Sequence, residues 1–215
     1  MLDYLFSNPL LFWLWVLAIL IAITIHEFAH AWAAYQLGDQ TAKDQGRLTL
    51  NPFAHLDPIG TLAIILIGFG WGKPVPFDPY NLRDPRKDSA LISLAGPLSN
   101  FILAIILAII LRVFTISNLP LSIISLILTP IIILNVTLGV FNLLPIHPLD
   151  GGKILVGLLP ERTANEVEAL LNQYGLILLL LIMFPIFGGS SLASGIIGPI
   201  INLLLSLLLP ANPLI

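Results

Sequence analysis

Cysteine is absent from this sequence, and only 10% of its 215 residues are charged. Without cysteine the chain has no disulfide, no thiolate metal ligand and no thiol nucleophile. Its net charge of −3 offers no excess of basic residues for binding a polyanion, so we expect no nucleic-acid partner. Histidines and carboxylates are few, so those that occur inside apolar segments narrow the search for a functional site.

Hydrophobic residues, in contrast, make up 57% of the chain, and the mean hydropathy is +0.98. Several apolar segments are as long as the roughly 20 residues that a membrane-spanning helix needs. A soluble protein with deeply buried helices would need polar outer faces, which these segments lack. The sequence therefore predicts an all-α membrane protein in a lipid bilayer, a polytopic helical bundle forming one domain over residues 1–215.

Three long spans are predicted to form the core of the bundle, at about residues 10–37, 90–114 and 121–150. A hairpin of two further spans is expected over residues 170–209. Two smaller elements are expected outside the spans, a short strand at residues 47–50 and a short surface helix at residues 160–168.

Residues 59–70 are apolar but too short to cross a bilayer. As a helix they would reach only about 18 Å, against roughly 30 Å of hydrocarbon. The segment that follows, through Tyr80, is rich in proline and suits a loop with an edge strand. We therefore expect a re-entrant region with a short β loop over residues 59–80.

Basic residues predict the orientation of the chain. Six of the nine lysines and arginines lie between the first and second long spans, and the positive-inside rule makes that side cytoplasmic. If residues 59–70 return to their own side, the N-terminus is outside. The six residues are Lys43, Arg47, Lys73, Arg83, Arg86 and Lys87.

The strongest chemical signal is His26-Glu27-Phe28-Ala29-His30, within the first span. Histidines at i and i+4 lie on one face of a helix, so both imidazoles can reach one ion. The glutamate between them can take a proton from a water molecule at that ion, which is the H-E-x-x-H arrangement of zinc hydrolases. Ionisable groups inside a span are costly and are usually functional.

A catalytic zinc site usually has a third protein ligand. Asp150 is the best candidate because carboxylates are scarce and this one ends an apolar span. With residues 59–70 re-entrant, Asp150 and His30 lie at the same membrane face; a complete crossing there would separate them. His147, three residues earlier, is a rival third ligand or a group that orients one.

These residues resemble the motifs of the site-2 protease family of intramembrane metalloproteases. The resemblance rests on the H-E-x-x-H motif, on Asn142-x-x-Pro145 and Leu149-Asp150-Gly151, and on Gly96-Pro97-x-x-Asn100. It implies that His26, His30 and Asp150 bind one zinc ion per chain and that Glu27 is the catalytic base. It also implies cleavage of a membrane-spanning protein substrate by a compact form without PDZ or CBS domain.

Two asparagines allow more than one interpretation. Asn142 and Asn100 either form hydrogen bonds between helices or steady the substrate or oxyanion. His55, in the polar loop, is expected to be a surface or turn histidine. An extended segment at residues 73–77 is expected to pair with an unwound substrate by strand addition.

Two other classes of function remain open from the sequence. One is a non-catalytic membrane scaffold or inactive homologue, although such a protein would be expected to lose Glu27. The other is a metal or proton transporter, although residues 170–209 contain no charged side chain. The favoured interpretation is a multi-pass zinc metalloprotease of the cell membrane with its active site towards the cytoplasm. Its oligomeric state is not readable.

Overall fold

The computed structural model describes residues 2–67, 70–116, 121–184 and 191–209. The described ranges are mainly helical, and they contain no strand, only an isolated antiparallel bridge between Leu56 and Gly72. Short 3₁₀ turns cover Pro52–Ala54 and Pro79–Asn81. The α-helices are α1 (Leu2–Ser7), α2 (Pro9–Gln36), α3 (Thr41–Asp44), α4 (Pro58–Ile67), α5 (Pro85–Ile116), α6 (Leu121–Asn142), α7 (Asp150–Leu158), α8 (Glu161–Met183) and α9 (Leu192–Leu208).

Four of these helices are long and apolar enough to cross a membrane: α2, α5, α6 and α8. Helix α9 is also apolar but has only 17 residues. This architecture confirms the expected all-α, multi-pass membrane fold.

Helix α5 lies at the centre of the bundle and packs against α2, α6 and α7. Small side chains line the contact with α6, where Ala104 and Ala108 are buried against Ile132 and Val136. Buried alanines recur along α2 as well. Small residues let helix backbones approach closely in a membrane, so these three helices form a tight frame for the polar side chains that they carry.

The segments of chain that flank helix α4 lie next to each other. Leu56 before it bridges Gly72 after it, and the amide of Lys73 donates to the carbonyl of His55 at 2.8 Å. Its ten residues span about 15 Å, half the thickness of a hydrocarbon core. The chain therefore leaves and returns on one side of this short helix, as a re-entrant segment would.

Three of the smaller predicted elements are wrong. The edge strand expected in the loop through Tyr80 is absent from the described residues, which hold only the isolated bridge at Gly72, because the prolines of this loop lack the N–H groups that a ladder needs. Residues 47–50 are irregular, with a bend at residues 48–49, instead of a strand, because the Arg47 side chain turns inward and donates to the Lys73 carbonyl at 2.5 Å. Residues 160–168 are the first turns of α8 and not a separate surface helix, since neither glycine nor proline interrupts the chain before Gly175. Residues 185–190, in the middle of the hairpin expected over residues 170–209, lie outside the described residues.

The third predicted span is shorter than expected. Helix α6 ends at Asn142, the chain turns through residues 143–149, and α7 starts at Asp150. The turn contains Pro145 and Pro148, which cannot continue a helix. It places the Asp150 carboxylate at a helix N-terminus, where the helix dipole favours negative charge.

Candidate metal centre

Three side chains from two distant parts of the chain meet inside the bundle. The Nε2 atom of His26 lies 3.0 Å from Nε2 of His30 and 3.0 Å from Oδ2 of Asp150, and the His30–Asp150 separation is 3.3 Å. They form a group that can hold a metal ion, and His147 is not part of it. The structure thus brings together the three residues predicted as ligands.

The first imidazole is oriented by an asparagine of α5. The Nδ1 atom of His26 lies 2.6 Å from Oδ1 of Asn100. The Asn100 amide nitrogen donates in turn to the Ala22 carbonyl at 3.0 Å and to Oδ1 of Asn135 at 2.7 Å. Because its oxygen accepts, Nδ1 of His26 carries the proton and the lone pair of Nε2 faces the cluster.

The second imidazole is oriented by the backbone of the same helix. Nδ1 of His30 lies 2.7 Å from the carbonyl oxygen of Ile92, and a carbonyl can only accept. Nε2 of His30 is therefore also unprotonated in the neutral ring. Ligating histidines in proteins typically donate their second ring N–H in this way.

The donor set fits a zinc ion. Two imidazole lone pairs and a carboxylate oxygen, facing one another at 3.0–3.3 Å, repel unless a cation or proton lies between them. Ligands bound about 2.0–2.1 Å from a tetrahedral zinc ion lie about 3.3 Å apart. His26 and His30 are buried and Asp150 is half-buried, so water is limited to one side of the group.

Gly96 allows α5 to approach this cluster. A Cβ atom there would lie 2.4 Å from Nε2 of His30 and 2.7 Å from Cε1 of His26. Any larger residue would overlap the imidazoles themselves. In the sequence this glycine is only one part of the Gly96-Pro97-x-x-Asn100 motif, and its place against the metal-binding atoms becomes visible only when α2 and α5 are packed together.

Glu27 lies beside the cluster, half-buried under the segment that follows α4. Its Oε2 atom accepts a hydrogen bond from the Val75 amide at 3.0 Å. A Cβ atom on Gly72 would lie 3.7 Å from its Oε1 atom. The segment at residues 72–77 therefore passes directly over the carboxylate that we expect to act as a base.

Several buried groups hold that segment in place. His55 is a turn residue, as one of the two expectations had it, but it is fully buried instead of on the surface. Its Nε2 atom lies 2.8 Å from the Thr49 carbonyl, and its own carbonyl accepts from the Lys73 amide. Asp39 is also fully buried and accepts from Thr41 Oγ1, Asn81 Nδ2 and the Asp78 amide at 2.6, 2.8 and 2.9 Å. Burial raises the pKa of the Asp39 carboxyl, but these hydrogen bonds outweigh it and hold the pKa below its ordinary value.

His147 lies next to the site as a packing residue of the turn before α7. A Cβ atom on Gly152 would lie 2.6 Å from its Nδ1 atom, and one on Gly175 of α8 would lie 2.5 Å from its carbonyl oxygen. Burial, together with the nearby charge of Lys153, lowers the pKa of His147, so this imidazole is neutral at pH 7.

The two asparagines behave differently. Asn142 donates to the Leu138 carbonyl of its own helix at 3.1 Å and makes no described hydrogen bond to the cluster. Asn100 uses both functional atoms of its amide, as described above, which leaves no amide hydrogen for an oxyanion. Sequence reasoning missed Asn135, although an amide in the middle of an apolar span was a signal in itself.

Comparison with known proteins gives a consistent result. The sequence model of peptidase family M50 matches residues 14–125 and 113–182. A protein of Bacillus subtilis named "Putative zinc metalloprotease YwhC" is 40% identical over 192 residues, 87% of this chain and 85% of that protein. No solved structure matches this chain.

Two more distant relatives are longer than this chain. "Putative zinc metalloprotease Rip2" of Mycolicibacterium smegmatis is 33% identical over 173 residues, which cover 77% of this chain and 65% of that protein. "Zinc metalloprotease MJ0392" of Methanocaldococcus jannaschii is 29% identical over 158 residues, 72% of this chain and 37% of that protein. The match therefore covers only part of each of these two proteins.

Proposed function

This chain belongs to peptidase family M50, the site-2 protease family, and we propose that it is an intramembrane zinc endopeptidase. It would hydrolyse peptide bonds in or near the transmembrane segment of a single-span protein. The observation that carries the proposal is the convergence of Nε2 of His26, Nε2 of His30 and Oδ2 of Asp150 beside Glu27. These three residues would hold one zinc ion per chain.

The roles of the residues follow from their chemistry. Zinc, when bound, supplies Lewis-acid polarisation of the scissile carbonyl and lowers the pKa of water at the site. Glu27 takes a proton from the attacking water and returns it to the leaving amine, a role that suits a carboxylate held close to the ligands. The Val75 amide keeps that carboxylate in place through its bond to Oε2.

The site is proposed to lie within the membrane, towards the cytoplasm. His26 and His30 lie in the C-terminal part of α2, and the polar loops next to them carry most of the basic residues. The return of the chain at Leu56 and Gly72 supports a re-entrant region that keeps those loops on one side. Water would reach the site through this region, since irregular backbone is tolerated at membrane depth where it lines a polar cavity.

Residues 73–77 are proposed to guide the substrate. A helical substrate hides its carbonyls in hydrogen bonds, so it must unwind before attack. The backbone amide and carbonyl of Lys73 already form hydrogen bonds inside the protein, with the His55 carbonyl and the Arg47 side chain. The Val75 amide likewise donates to Glu27. Since alternate residues of an extended chain point to opposite sides, the carbonyls of Pro74 and Pro76 face the other way and can accept substrate amides. Because proline has no N–H, Pro74 and Pro76 would donate no hydrogen bond to the carbonyls of the substrate strand, which stay free for attack.

Glu27→Gln is the direct test of the activity. The amide cannot take up a proton, so cleavage should fall by about 10²-fold or more, the usual contribution of a general base. The purified proteins in detergent would be given a probe with one span of about 20 leucine and alanine residues, interrupted by Asn-Gly. Zinc content, measured by atomic emission, should stay at one ion per chain in both.

Other outcomes would contradict the proposal in different ways. Equal cleavage by wild type and Glu27→Gln would show that this site does not carry the activity. Zinc binding without cleavage by either protein, across a panel of such probes, would favour the scaffold. A wild type that holds no zinc would overturn the metal centre itself.

The guiding segment can be tested by cross-linking, because the chain contains no cysteine of its own. Single cysteines at Pro76 and, as a control, at Leu178 on the exposed face of α8 would be introduced into Glu27→Gln. A probe with one cysteine beside its Asn-Gly interruption should form a disulfide with position 76 and not with position 178. Equal cross-linking at the two positions would contradict guidance by this segment.

A further inference from the structure

Two asparagines of different helices are fully buried against each other in the centre of the bundle. Asn100 of α5 and Asn135 of α6 have no exposed surface, and their side chains are 2.7 Å apart. A buried amide without partners is costly in an apolar interior, and here every partner is a protein group. The pair reaches the candidate metal centre through His26.

Backbone carbonyls and the Asn135 oxygen together determine the orientation of both amides. The Asn135 nitrogen lies 2.8 Å from the Ile131 carbonyl, which can only accept, so its oxygen must point to Asn100. That oxygen and the Ala22 carbonyl are both acceptors, so both face the nitrogen of Asn100. The one remaining arrangement presents the Asn100 oxygen to Nδ1 of His26.

We infer that Asn135 is a positioning residue that acts on the metal centre through Asn100. Its carboxamide oxygen holds the Asn100 side chain in one of its two flipped states. That state keeps the proton of His26 on Nδ1 and the lone pair of Nε2 towards His30 and Asp150. The inference rests on the proposed zinc site and goes beyond it, because Asn135 contacts neither the ligands nor Glu27 in any described bond.

The alternative is that Asn135 only joins two helices, as polar side chains often do in membranes. The two interpretations differ in what they require at position 135. A helix contact requires shape and packing, whereas the relay requires an acceptor atom facing Asn100. Leucine and aspartate both approximate the shape of asparagine, but only aspartate offers that acceptor, whether ionised or protonated.

The test compares Asn135→Asp with Asn135→Leu in the full-length protein in detergent. Zinc affinity would be measured by competition with a chromogenic chelator. Loss of a group that orients a ligand typically lowers metal affinity by about 10–100-fold, and we expect about tenfold for Asn135→Leu because it acts one bond further away. Asn135→Asp should stay within about threefold of wild type on the same scale.

Thr129→Val is the matched control. Thr129 is a fully buried polar residue of the same helix, and its described hydrogen-bond partner is Ser125. Its replacement removes a buried hydroxyl without touching the relay, so zinc affinity should not change. Circular dichroism and size-exclusion profiles would establish that all variants are folded.

A second measurement reports the tautomer directly. In zinc-free protein labelled with ¹⁵N-histidine, wild type and Asn135→Asp should show His26 protonated on Nδ1, and Asn135→Leu should show a mixture of tautomers. Equal zinc affinities and tautomers in the Asp and Leu variants would overturn the relay and leave the zinc site standing. A wild type that binds no zinc would overturn both.

Discussion

The bundle contains two kinds of membrane helix. The site region is formed by α2, α5, α6 and α7. In the apolar part of its candidate spans, 28% of the residues are buried in α2, 33% in α5 and 50% in α6. The outer pair is formed by α8 and α9, and only 11% of the residues in the apolar part of α8 are buried. The buried polar side chains of the described spans, such as His26, Asn100 and Asn135, all lie in the site region.

This difference shows what holds each region together. Lipid is as apolar as leucine, so spans gain little from burying hydrophobic surface, and close packing and hydrogen bonds decide which helices stay in contact. The site region has both, through its alanines and its amides. The described spans of the outer pair carry no buried polar side chain. The pair meets the site region through apolar side chains, such as Leu179 against Ile146 and Leu149, and at Gly175 against His147. Substitutions should therefore have unequal effects in the two regions.

The largest effect is expected at Gly96. Gly96→Ala would place a methyl group 2.4 Å from Nε2 of His30, well inside van der Waals contact, so α2 and α5 must separate. We expect zinc affinity to fall by about 100-fold or more, beyond the loss typical for outer-shell groups. Chelator competition would measure it.

Gly198→Ala in α9 is the matched control, because no atom of the described residues lies within 4 Å of a Cβ atom there. It should leave zinc affinity unchanged. If both alanine variants bind zinc as wild type does, the site region is not packed as tightly as described.

A smaller effect is expected where the two regions touch. Gly175→Ala would place a methyl group 2.5 Å from the His147 carbonyl, and the backbone there cannot move as a flexible side chain would. We expect a loss of about 1–3 kcal/mol in stability, seen as a lower thermal midpoint in detergent. Zinc affinity should fall far less than in Gly96→Ala, since α8 contributes no ligand.

The control for Gly175→Ala is Gly195→Ala, whose methyl group would have no neighbour within 4 Å among the residues that the structure describes. Its midpoint should match wild type. A zinc loss in Gly175→Ala as large as that of Gly96→Ala would show that the outer pair positions Asp150, and the division into two regions would be wrong.

The smallest effect is expected on the exposed face of α8. Leu178 is 41% exposed, and Leu178→Ala should change stability by less than about 0.5 kcal/mol. Zinc affinity and cleavage of the span probe should stay at wild-type values. A marked fall in the thermal midpoint would mean that this face packs against a partner, for example a second copy of the chain.

Much of the site was predictable because its strongest signal is local. The i, i+4 spacing brings His26 and His30 together in any helix, and apolar length predicts the spans. Asp150 was predictable for another reason, since charged residues are few enough for a lone carboxylate after a span to stand out. The weaker patterns failed for two reasons. Arg47 finds a distant partner at Lys73, so residues 47–50 form no strand. The polar segment at residues 160–168 has no breaker after it, so it continues into α8.

The sequence alone thus determined that the chain is a bundle of membrane helices, that two histidines and a glutamate share one helix, and that Asp150 is available to join them. Only the tertiary structure decided how these groups are held. The contact of Gly96 with the imidazoles, the orientation of Asn100 by Asn135 and the bond from Val75 to Glu27 each join residues far apart in the chain. Hydrogen-bond direction and close approach depend on where helices cross, and no local pattern of residues specifies that crossing.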